Sequence, residues 1–155
     1  MEENSEIEKF ELQLNESAKG FLKEAAKWAY FLSILGYIGI GFIVLIAVFA
    51  GTLFAFMSNM SPEMSNIGTM GGSFISAIYL IIAALYFFPI YYLNKFASKA
   101  KDALRDNNSE TLTNSFEYLK SHYKYIGIMA VITLSFYALF IIGAIVVALA
   151  AGLSN

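Results

Sequence analysis

The chain has 155 residues, 58% of them hydrophobic and 14% charged, where a soluble domain carries about 25% charged residues. A formal net charge of −2 and a pI near 5.4 leave no basic footprint for nucleic acid. The absence of cysteine excludes disulfides, thiolate nucleophiles and Cys-ligated metal centres.

Three stretches, 28–62, 64–94 and 125–155, contain no Asp, Glu, Lys, Arg or His. Each has room for the roughly 20 apolar residues with which a helix crosses a bilayer. None shows the polar stripe that a helix of a soluble core turns toward water. The pattern predicts an all-α integral membrane protein: three transmembrane helices with cytoplasmic amphipathic extensions that form an αα-hairpin.

Residues 1–14 read as an acidic flexible tail, and residues 15–155 as a single three-span membrane domain. A cleavable signal peptide starts basic and turns apolar within a few residues, so the first span is expected to be retained. A helix is expected from Asn15 or Ser17, with Phe21, Ala25, Trp28 and Leu32 on one face and Lys19, Lys23 and Lys27 on another. Such a segment suits the membrane interface, its lysines reaching anionic headgroups. A plain helical extension with a solvated basic edge reads the same way.

The first span is predicted at about 29–49, where Gly36, Gly39 and Gly41 let a neighbouring helix approach, as does the Ala47/Gly51 pair. Residues 50–73, with Gly, Ser, Asn, Thr and Pro62, are predicted to form the outer loop, and Glu63 is its sole charge. Met57, Met60 and Met64 follow one another there, with Met70 beyond. Thioethers select Cu(I), which makes Met57, Met60 and Met64 a candidate capture site. Flexible methionines resting on lipid and helix ends account for them without a metal.

The second span, about 74–93, ends in the aromatic run 86–92 beside Lys95, as a headgroup-level belt does. Pro89 withholds an N–H from the carbonyl of Leu85 and predicts a static bend there, with a gating hinge as the sharper alternative. Residues 95–124 are predicted to form the cytoplasmic hairpin. Phe96, Ala100, Ala103 and Leu104 line its first arm, and Leu112, Phe116, Leu119 and Tyr123 its second. Between them Asn108 or Ser109 is the N-cap, with Glu110 in the first turn that follows. The third span is expected at about 125–149, and Ala144, Ala148 and Gly152 give it a small-residue face suited to the monomer's own bundle or a second copy.

All ten Lys and Arg lie in residues 1–27 and 95–124. Basic residues in short flanks stay on the cytoplasmic side, so the N-terminus and the hairpin are expected inside and the C-terminus outside. With no ionisable group in a span, proton relays and intramembrane proteolysis are disfavoured. His122, the single histidine, sits between Lys120 and Lys124 with no second histidine or cysteine to complete a metal or nucleophile set. A solvated or headgroup-contacting imidazole is the ordinary reading, and a pH sensor the sharper one.

The stretches FLKEAAKWAYFLSILGYIGIGF, ALYFFPIYYLNKF and LKSHYKYIGI resemble an uncharacterised family of small bacterial multi-pass inner-membrane proteins, from about Leu14 onward. The resemblance implies a bacterial inner membrane and no assigned activity, and it brings no catalytic or binding residues with it. The expected role is non-enzymatic and structural or accessory, without a cofactor. Its partners would be the lipid bilayer and a second copy or another membrane protein. The alternative is a self-assembling channel, carrier or lytic pore lined by Ser33, Thr52, Ser76, Tyr79, Thr133 and Ser135. An enzyme would have to draw on Tyr, Ser and the carboxylates Glu110 and Glu117, seven residues apart on one helical face.

Overall fold

A computed structural model describes residues 15–60 and 65–153. Three long helices fill this part of the chain: α1 (Glu16–Met60), α2 (Ser65–Asp106) and α3 (Ser109–Leu153). Their 45, 42 and 45 residues reach roughly 65 Å each at 1.5 Å per residue, about twice a hydrocarbon core. All three are long and apolar enough to cross a membrane.

The helix ends follow from local chemistry. Asn15 caps α1, its Oδ1 accepting the Ala18 N–H at 2.8 Å. At the close of α2, Asn107 takes a left-handed φ of 47°, and the Asn108 N–H donates to Ala103 O at 3.0 Å. That six-to-one bond satisfies a carbonyl that the helix end would leave bare. The Asn108 side chain then accepts the Thr111 N–H at 2.9 Å and starts α3. Of the two N-cap candidates in the sequence, Asn108 is the one used. One residue thus ends α2 and begins α3, and the connection needs no more than residues 107 and 108.

Residues 50–60 and 65–73, expected in the outer loop, are helical. Their Gly, Ser and Thr content signals a loop only when no partner helix is considered. Here Thr52 Oγ1 donates to Val48 O and Phe49 O, and Ser58 Oγ to Ala55 O, so the hydroxyls are satisfied within the helix. Gly51 and Gly72 sit where α1 and α2 approach closely. The connection between these helices falls in residues 61–64, which with Pro62, Glu63, Met64 and the acidic tail 1–14 lie outside the described residues.

α2 is the central helix. It runs antiparallel to α1 along nearly their whole length, pairing Asn94 with Ser33, Ile90 with Gly36, Ser76 with Ala47 and Gly72 with Gly51. The buried positions on this seam are small: Ala26, Ala29, Ser33 and Ala47 from α1, Ala83, Ala97 and Ala100 from α2. Small residues let two helix backbones approach closely, so contact is gained without large side chains. α3 returns antiparallel on another face of α2, and among the described residues α1 and α3 make no close backbone approach. The helices therefore form a row, not a closed bundle.

Candidate functional site

Charge and packing converge at one end of this row. The first turns of α1, the last turns of α2 and the first turns of α3 meet there, and they carry every Lys and Arg of the described residues. Ala26, Ala29, Phe96, Ala97 and Ala100 form its apolar core, with Leu22, Leu93, Tyr118 and Leu119 packed around them. Phe96 and Phe116 bring their ring centroids to 6.4 Å across α2 and α3. The arms predicted over 95–124 are thus in contact, and α1 supplies a third arm that hydropathy alone does not place beside them.

The charged side chains stay on the outside. Lys19 pairs with Glu16 at 2.9 Å, and Arg105 contacts Asp106 at 2.8 Å and Asp102 at 3.5 Å. The Arg105 hydrogen bond holds the Asp106 carboxyl below the ordinary carboxylate range and raises the guanidinium in turn. Exposed pairs of this kind contribute little to stability, and they leave this end with a surface of mixed sign. Between α1 and the end of α2 lies an open groove of about 370 Å³, lined by Glu16, Lys19, Gly20, Lys23, Leu104 and Asn107.

Next toward the apolar half comes a layer of aromatic rings. Tyr37 of α1 lies 6.1 Å from Phe87, Phe87 stacks on Tyr91 at 6.1 Å, and Phe88 meets Tyr125 of α3 at 6.0 Å. Lys95 Nζ stands 5.5 Å from the centre of the Tyr91 ring, a cation–π distance. Two polar contacts cross between helices near this layer. Ser33, fully buried, donates to Tyr30 O at 2.7 Å and accepts Asn94 Nδ2–H at 2.9 Å. His122 Nδ1 lies 2.7 Å from Pro89 O, a carbonyl that can only accept, so Nδ1 carries a proton and donates. His122 is therefore tied to a backbone carbonyl of α2, a pairing its position between two lysines does not disclose.

The sequence-derived candidates are otherwise dispersed. Met57 and Met60 lie near the end of α1, both exposed, and Met64 falls outside the described residues. Among the described residues no three His, Cys, Asp or Glu side chains gather as a metal site. Of the hydroxyls considered for a pore, Thr52 and Ser135 bond to their own helix backbone, while Ser33 and Ser76 join α1 to α2. Tyr79 and Thr133 stand on different helices, α2 and α3. Glu110 and Glu117 are both exposed on α3.

A model of a family of unknown function, DUF5362, matches residues 67–146. The match takes in most of α2 and α3 and stops short of α1, a narrower extent than the resemblance from Leu14 onward implies. No curated protein and no solved structure matches the chain.

Proposed function

We propose that this chain, which belongs to the DUF5362 family of unknown function, is a small non-enzymatic protein of the bacterial inner membrane. Its role is structural or accessory: helices packed in the bilayer carry a charged three-armed projection on the cytoplasmic side, where a protein partner is met. The observation that carries this reading is the placement of every described Lys and Arg at the end where all three helices pack together. Positive charge is retained on the cytoplasmic side of a bilayer, and aromatic rings beside a lysine, as at Tyr91 and Lys95, suit the level where headgroups meet hydrocarbon. Helices of roughly 65 Å overrun a bilayer of about 40–45 Å including its headgroups, so about a third of each helix is free to stand clear of it.

Crosslinking in native membranes through a photoreactive residue at Asn114, on the charged arms that carry Lys99 and Lys120, followed by identification of the attached protein, tests the reading. A defined partner, lost when both lysines become glutamate, supports it. Selective ion or solute flux from proteoliposomes holding the purified chain alone would replace it with a channel or carrier.

A further inference from the structure

The contact between α2 and α3 stops abruptly. On α2 the face that carries α3 runs through Ala103, Phe96 and Pro89, all buried. The same face continues at helical spacing through Leu85, Ile81, Ile78 and Phe74, and these four are exposed. On α3 Met129 is the last partly covered residue, and every residue from 130 to 152 is exposed. An apolar stripe on α2 and an apolar length of α3 thus stand uncovered on either side of one point.

That point has its own chemistry. Pro89 has no N–H for the carbonyl of Leu85, which loosens α2 at this level. The neighbouring carbonyl, that of Pro89 itself, holds His122 at 2.7 Å. Among the described residues this is the one side-chain hydrogen bond between α2 and α3. The Phe88–Tyr125 ring contact lies one turn further on, and beyond it the helices part.

We propose that α3 is a strap that pivots at the His122–Pro89 contact and closes its outer half onto the Leu85–Ile81–Ile78–Phe74 stripe of α2. The occupant of the stripe is this chain's own α3, because the same face already holds the first half of that helix in antiparallel register. Continuing the register of Phe96 with Phe116 and Pro89 with His122 sets Ile78 opposite Leu134. From His122 to Gly152 the helix extends about 45 Å, and a swing of about 20°, a common helix-crossing angle, carries its far end by about 15 Å. Motion of this kind belongs to the microsecond-to-millisecond range of packed helices.

The absence of cysteine makes the test direct. Spin labels on Ile78→Cys and Leu134→Cys in one chain, reconstituted in nanodiscs, give the distance distribution between α2 and α3. Two populations are expected, the shorter one surviving dilution with unlabelled protein. His122→Ala should change their ratio at least about threefold, while His122→Gln, which keeps an N–H donor, should change it less. A single long distance in the unmodified pivot overturns the proposal. So does a short distance that disappears on dilution, which would place a second copy on the stripe, and so does a ratio that His122→Ala leaves unchanged.

Discussion

One methyl group added at each glycine of the α1–α2 seam distinguishes close backbone packing from loose apolar contact. At Gly72 a new Cβ would stand 2.6 Å from Phe54 Cβ and 3.4 Å from Gly51 O. A Cβ moves only with its own backbone, so the helices must part. At Gly51 the nearest atom is Ser76 Oγ at 2.5 Å, which can turn away only by giving up its bond to Ala47 O. At Gly36 the obstacle is the Ile90 side chain, with Cδ1 and Cγ1 at 2.8 Å and Cγ2 at 3.1 Å, and a β-branched residue in a helix is held to one χ1 rotamer. Gly39 and Gly41 meet nothing within 4 Å. Overpacking costs about 1–3 kcal/mol, alanine returns up to about 1 kcal/mol of helix propensity, and a lost interhelical hydrogen bond adds about 0.6 kcal/mol. Gly72→Ala should therefore lose about 1–2 kcal/mol, and Gly51→Ala and Gly36→Ala about 1 kcal/mol each. Gly39→Ala and Gly41→Ala should be neutral or gain up to about 1 kcal/mol. Reversible unfolding by SDS in mixed micelles, followed by circular dichroism, measures all five. If Gly72→Ala is no less stable than Gly41→Ala, the tight antiparallel seam is refuted.

Other outcomes follow from single contacts. Ser33→Ala leaves the Asn94 amide without its oxygen partner and should cost about 1–2 kcal/mol; adding Asn94→Leu should recover part of that loss in a double-mutant cycle. Asn107→Val forces a β-branched residue to a φ of 47° and should cost about 1–2 kcal/mol, whereas Asn107→Gly should be neutral or better. Carbon-detected NMR titration should find Asp106 below the ordinary Asp range, because the Arg105 hydrogen bond favours its charged form. The contribution of that pair is then complete above the ordinary Asp range and is lost as pH falls through the lowered folded value. Arg105→Gln should return Asp106 to the ordinary range.

Type and number of helices were legible because each rests on a one-dimensional signal: three charge gaps, periodic apolar faces and an Asn pair between Asp106 and Ser109. The small residues of the first apolar stretch pointed to close helix approach, and Gly36 and the Ala47/Gly51 pair do meet α2, while Gly39 and Gly41 face open space. Which side of a helix is used depends on a partner, and periodicity cannot name the partner. The same limit moved the outer connection. Gly51, Thr52 and Ser58 resemble loop residues until α2 lies against them and the helix backbone takes their hydroxyls. The His122–Pro89 contact joins residues 33 positions apart, so neither its lysine neighbours nor the proline's reputation as a bend could reveal it. The central place of α2 was equally hidden, since hydropathy ranks the three helices almost alike.

The central claim is that the Asn107–Asn108 turn and the basic helix ends around it lie on the cytoplasmic side of a bilayer. A single cysteine introduced as Ser109→Cys, probed with a membrane-impermeant maleimide, tests it most directly. Labelling only in inverted vesicles or after permeabilisation, with Ser65→Cys labelled from outside intact cells, is the expected result. Labelling of Ser109→Cys from outside intact cells would contradict the account.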